Sequence, residues 1–166
     1  MSRPSEFFRC EVCGNFVRRI DAGNGTMMCC GLPMTRLVPN TTDGAVEKHL
    51  PVVTGTELAL KISIGSTPHP MEEKHHIDFV YVEGKSTGLF CRLQVGSEPK
   101  VTLPLSEAPE IVTSSADEPL ADGLVAKVSP GDGLMLTSQP DGPLVVYAYC
   151  NLHGLWAVTI EEVVRE

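Results

Sequence analysis

From residue 45 onward, apolar side chains recur at every second position. Residues 57–64 set Leu58, Leu60, Ile62 and Ile64 on one face, the period of a half-buried strand. Residues 76–82 alternate in the same way, and residues 89–95 put Leu89, Cys91, Leu93 and Val95 on one side. Residues 101–105, 124–128, 134–137, 144–149 and 155–163 read as further strands. Clusters of Gly, Pro and Asp separate them, at 65–68, 96–99, 130–133 and 139–143. Short strands with turn signals at this spacing predict an all-β chain folded as an antiparallel sandwich. Residues 106–122 are acidic and read as a surface loop.

The first part of the chain has a different texture. Residues 1–37 are rich in Cys, Gly and Arg and show no helical period. Residues 38–44 are polar and contain Pro39 and Gly44, the composition of a linker. The expected organisation is therefore a small module over 1–37, a linker over 38–44 and a sandwich over 45–166. A chain of 166 residues suffices for one ordinary domain with such an appendage.

Composition narrows the function classes. The chain is 42% hydrophobic, with a mean hydropathy of +0.03, as in soluble globular proteins. No apolar run approaches the roughly 18 residues of a membrane span. The N-terminus lacks the apolar stretch of a secretory signal, so the expected compartment is the cytoplasm. The net charge of −8 argues against a nucleic-acid partner. Five arginines face three acidic side chains within residues 1–40, whereas the rest holds eight basic and eighteen acidic groups. A basic module joined to an acidic domain is either incidental or a means of docking a redox partner.

Four of the six cysteines fall within residues 10–30. Cys10 and Cys13 form a CxxC turn followed by Gly14, and Cys29 and Cys30 are followed by Gly31. Four thiols so clustered suit tetrahedral zinc or iron. Adjacent strand residues point to opposite sides, so Cys29 and Cys30 can share a metal only if the chain turns there. A vicinal disulfide is the alternative, and it leaves Cys10 and Cys13 unexplained. A closed tetrathiolate site has no open position, which restricts it to structural support or electron transfer.

The five histidines occupy three short segments. His49 follows Glu47 and Lys48. His69, His75 and His76 bracket a Pro-containing loop, and His153 completes a CxxH turn with Cys150 after an apolar run. Loop and turn can deliver up to four imidazoles and one thiolate to one point. Zinc usually stops at four ligands, whereas five with one position free suit ferrous iron or another redox metal.

The ordered strings Cys-x-x-Cys-Gly and Cys-Cys-Gly-x-Pro-Met, then Asp43-Gly-Ala-x-Glu-Lys-His, then His69-Pro-Met-Glu-Glu-Lys-His, then Tyr149-Cys-Asn-Leu-His-Gly-x-Trp156 resemble desulfoferrodoxin, the two-iron form of superoxide reductase. The resemblance covers roughly residues 7–83 and 147–158. It implies a desulforedoxin-like domain with a tetrathiolate iron on Cys10, Cys13, Cys29 and Cys30. It also implies an immunoglobulin-like sandwich with a catalytic iron on His49, His69, His75, His153 and the axial thiolate Cys150. The implied activity is one-electron reduction of superoxide to hydrogen peroxide, with electron relay by the tetrathiolate centre. Lys48 would steer the anion and orient water, and Glu47 would be the carboxylate able to take the sixth position. A rubredoxin-like electron donor and a homodimer are further implications. In place of the bulky aromatic common in the family after the third histidine stands His76, expected to face away from the metal. The stretch 84–143 is longer than the family norm and holds Cys91, read as a buried strand residue. The competing reading is a non-catalytic electron-transfer or metal-binding protein with iron or zinc.

Overall fold

The computed structural model describes residues 5–21, 23–55, 59–84, 88–104 and 143–160. The expected strands at 124–128 and 134–137, the acidic loop at 106–122 and the last residues of the strand at 155–163 lie outside them. The N-terminal part is built from β1 (Glu6–Arg9), β2 (Phe16–Arg19), β3 (Met28–Cys29), β4 (Leu32–Pro33) and β5 (Thr35–Leu37). β1 lies between β2 and β5 in an antiparallel sheet, and β3 pairs with β4 as a separate hairpin. After residues 38–44 comes one turn of helix, α1 (Val46–His49). It is followed by β6 (Pro51–Gly55), β7 (Ala59–Ile64), β8 (Ile77–Glu83), β9 (Gly88–Arg92), β10 (Lys100–Pro104), β11 (Leu144–Cys150) and β12 (Gly154–Ile160).

These later strands form two antiparallel sheets, ordered β10-β7-β6 and β12-β11-β8-β9. The alternation read in the sequence is what fills the space between them. Leu60, Ile62 and Ile64 of β7 meet Val80 and Val82 of β8 and Val146, Ala148 and Cys150 of β11 in one core cluster. Lys61, between them, faces solvent. The strand expected to run through Val95 ends at Arg92; Leu93 still packs on the core, but Val95 is 45% exposed. The chain turns there through Gly96, at φ +83°, whose amide bonds the Met71 carbonyl at 2.7 Å.

The strict alternation expected over 76–82 is broken by a register shift between β8 and β11, at Tyr149 and Cys150. Ile77 therefore joins the same core as Val80, while Phe79 and Tyr81 point to the opposite face. That face is also covered. Phe79, Tyr81, Tyr147 and Tyr149 pack against Phe7, Phe16 and Leu37 from the N-terminal sheet. Phe7 sits 5.0 Å from Tyr147 and 5.8 Å from Tyr81, both edge-on, a preferred aromatic geometry. Arg18 bonds the Glu83 carboxylate at 3.1 Å and lies over the Tyr81 ring. β8 and β11 are thus buried on both faces, and the small module lies directly on the sheet that carries Cys150.

Candidate metal centres

At the first cluster, the CxxC turn follows β1 and closes with the Gly14 amide on the Cys10 carbonyl at 2.9 Å. Gly14 has φ +75°, a conformation that L side chains rarely adopt. Cys30 and Gly31, at φ 50° and 76°, form the two-residue turn between β3 and β4. Two successive left-handed residues are what a tight hairpin turn requires, and they swing Cys30 back beside Cys29. The Cys29 and Cys30 sulfurs are 4.0 Å apart, and all four cysteines are free thiols. Cys13 and Cys29 sulfurs stand 3.6 Å apart, and the Asn15 amide donates to Cys29 at 3.5 Å. Backbone amides of Cys13 and Val12 lower the Cys10 thiol to about 7, while the neighbouring Cys13 thiol raises Cys29 and Cys30. Crowded thiols of this kind ionise together only when a cation holds them.

The second cluster gathers residues from three places. His49 ends α1, His69 and His75 flank the loop between β7 and β8, and Cys150 and His153 bracket the turn between β11 and β12. One donor atom from each lies within 4.8 Å of every other. Burial lowers His49, His69 (to about 4) and His75, so these imidazoles stay neutral at pH 7, the form that binds metal. His49 donates through Nδ1 to the Ala45 carbonyl, 2.7 Å away, and His69 through Nδ1 to the Pro70 carbonyl, 2.6 Å away. Because only N–H can bond a carbonyl, Nδ1 carries the proton and each Nε2 is left with a lone pair. The Nε2 atoms of His69 and His75 are buried with no hydrogen-bond partner among the described residues. Stranded acceptors facing one another are destabilising unless a cation takes their lone pairs. This donor set fits a metal ion, and its one sulfur among imidazoles suits a redox metal better than calcium or magnesium.

Several supporting contacts were not foreseen from the sequence. Trp156 stacks on His49 with ring centroids 4.8 Å apart and planes 20° from parallel, and its Nε1 donates to the His153 carbonyl at 3.0 Å. Gly44 lies against both rings: a Cβ there would meet Trp156 at 2.9 Å and His49 at 3.3 Å. Asn151 clips the two ligand loops together, accepting from the His76 amide at 2.9 Å and donating to the Lys74 carbonyl at 3.0 Å. Burial raises the Cys150 thiol, and the amides of His153 and Leu152 oppose that rise. His76 lies outside the cluster, its ring between the Glu72 carbonyl (3.0 Å) and the Asp78 carboxylate (3.6 Å). Cys91 is half-buried on β9 and packs on the core. Glu47 and Lys48 are exposed on α1, and their side chains bond no other described residue. Their backbone is fixed: Thr67 and Ser66 both donate to the Glu47 carbonyl, at 3.1 and 3.2 Å. Gly65, at φ +84°, permits that approach, since a Cβ would stand 2.7 Å from the Lys48 carbonyl oxygen.

Comparison with known proteins agrees with this geometry. The desulfoferrodoxin family model matches residues 41–159, and the model for the desulfoferrodoxin N-terminal domain matches residues 2–37. A desulfoferrodoxin from Syntrophotalea carbinolica is 34% identical over 95% of this chain and 98% of its own length. One from Nitratidesulfovibrio vulgaris is 32% identical over 94% of this chain and 97% of its own. The crystal structure of the superoxide reductase from Treponema pallidum superposes with a TM-score of 0.62 at 26% identity, covering 95% of this chain and 99% of that one. With two family models in chain order, relatives of matching length and both ligand clusters assembled, this chain belongs to the desulfoferrodoxin family.

Proposed function

We propose that the protein is a superoxide reductase of the two-iron type. The observation that carries this is the group of four imidazoles and one thiolate, with the buried Nε2 atoms of His69 and His75 lacking a hydrogen-bond partner among the described residues. Iron held by these residues would supply the one electron that, with two protons, turns superoxide into hydrogen peroxide. His49, His69, His75 and His153 are the neutral ligands, and Cys150 is the anionic one. Five donors leave room for one more, which suits a small anion. Cys10, Cys13, Cys29 and Cys30 would hold a second iron, which would supply electron relay without meeting substrate. Residues 1–37 then form the relay module, 38–44 the linker and 45–166 the catalytic sandwich.

Lys48, whose ammonium is unpaired among the described residues, draws superoxide toward the site and orders water as a proton source. The domain around it is acidic, so a local cation has the greater effect on an incoming anion. Glu47, exposed on α1 beside His49, would be the carboxylate available to the iron and would help release product. A rubredoxin-like donor, a homodimeric assembly and a cytoplasmic setting complete the reading. Among the described residues, no helix is long and apolar enough to cross a membrane.

The test is anoxic loading with ferrous iron, followed by metal analysis and visible spectroscopy. Iron in both clusters, with a charge-transfer band that vanishes in Cys150→Ser, supports the reading. One zinc in the thiolate cluster and no colour would assign the chain to a metal-binding module instead.

A further inference from the structure

Beside the His/Cys cluster, on the seam between the N-terminal sheet and the sandwich, lies a cleft of about 300 Å³. Its walls are rings: Phe16 from β2, and Phe79, Phe90 and Tyr149 from the sheet beneath. Phe79 stacks on Tyr149 at 5.5 Å and 14°, and Phe90 leans on Phe79 at 5.1 Å. Two guanidinium groups line the same space, those of Arg9 and Arg92. Arg9 is half-buried and has no carboxylate, carbonyl or hydroxyl partner among the described residues. Arg92 is exposed and forms a loose ion pair, 3.9 Å from Asp78, whose carboxylate also faces His76 at 3.6 Å. Tyr149, 5% exposed as a whole residue, also lines the cleft.

Two cationic forks therefore border one ring-lined space. A half-buried guanidinium such as that of Arg9 gains from an anionic acceptor placed beside it. Asp78 removes part of the positive charge but leaves an excess, since Arg9 has no carboxylate partner among the described residues. Flat apolar walls select a planar group, and guanidinium forks select a carboxylate. We propose that this cleft binds a planar aromatic carboxylate, with its ring laid against Phe16, Phe79 and the exposed ring of Phe90 and its anionic end on Arg9, Arg92 and the Tyr149 hydroxyl. The site is separate from both metal centres, although Gly14 and Asn151, each next to a ligand cysteine, form its ends.

The test is isothermal titration of the iron-loaded full chain with 2-naphthoate, and with 2-naphthalenemethanol as its uncharged counterpart. Saturable binding of the acid is expected, with the alcohol at least about tenfold weaker, the order expected for a hydrogen bond to a charged group. Arg9→Ala should weaken the acid by a similar factor, and Tyr149→Phe, which removes only the hydroxyl, should weaken it several-fold. Arg36→Ala, an exposed arginine on Glu6 at 3.0 Å, should bind as the parent does. Thermal melts of each variant check that folding is retained; Arg9 gives up no partner that holds the fold. No saturable binding, equal affinity for acid and alcohol, or full affinity in Arg9→Ala would overturn the proposal. So would binding that shifts the Cys150-to-iron absorption, because the acid would then be on the metal.

Discussion

Trp156 offers the sharpest separation of packing from metal positioning. Its ring is 2% exposed and does two things at once, stacking on His49 and donating to the His153 carbonyl. Trp156→Phe keeps an aromatic face on His49 and loses one hydrogen bond. The His153 carbonyl still accepts from the Thr42 hydroxyl, so it is not orphaned, and the loss should be about 1 kcal/mol. Trp156→Ala removes the whole face and leaves a cavity beside two ligands, for which about 3–5 kcal/mol is typical. The groups that orient metal-bound imidazoles usually matter about 10- to 100-fold in metal affinity. Trp156→Ala should therefore lose iron to a competing chelator at about 10- to 100-fold lower chelator concentration, while Trp156→Phe stays near the parent. Urea unfolding of the metal-free proteins supplies the stability half of the comparison. An alanine variant that is destabilised as stated yet holds iron like the parent would refute the positioning role. One that unfolds like the parent would refute the packing account.

Other expectations follow from the same geometry. Lys48→Ala should slow the encounter with superoxide and flatten its dependence on ionic strength, with iron content unchanged; stopped-flow or pulse-radiolysis rates at several salt concentrations check this. Cys150→Ser should abolish the thiolate-to-iron absorption and most of the activity, and full activity would remove Cys150 from the ligand set. The metal-free chain should lose stability in acid. His69 takes a proton near pH 4 when folded, against the usual 6.5 when unfolded, so between those values the unfolded chain binds more protons. Stability is then complete above pH 6.5 and falls as pH drops toward 4, by about 3 kcal/mol for His69 at about 1.36 kcal/mol per unit. His49 and His75, lowered by the same burial, act in the same direction; a flat urea-midpoint profile over this range would refute it.

The strand faces were legible because Leu60, Ile62 and Ile64 alternate with polar neighbours, and a period of two has a single structural meaning. The ligand clusters were legible because Cys and His are rare enough that tight spacing is informative. His75 and His76 could be told apart because neighbouring side chains on extended backbone diverge. What was hidden depends on contacts between distant segments. Nothing local marks Phe7 and Phe16 as a lid on the outer face of β8 and β11. The unbroken apolar run at 144–149 was the available sign that this face would be covered too. Trp156, Gly44 and Asn151 act through ligands far away in the chain, so their roles appear only once the loops meet. The turn at Cys30 and Gly31 was required by chemistry, and the left-handed pair is how the backbone meets that requirement.

The central claim concerns what the His/Cys iron does to superoxide, and stoichiometry tests it directly. Anoxic, ferrous-loaded protein is mixed with limiting superoxide, and peroxide, dioxygen and oxidised iron are measured together. Reduction predicts one peroxide formed and one ferrous iron oxidised for each superoxide consumed, with no dioxygen. Half as much peroxide accompanied by dioxygen, with the iron left ferrous, would mean dismutation and contradict the account.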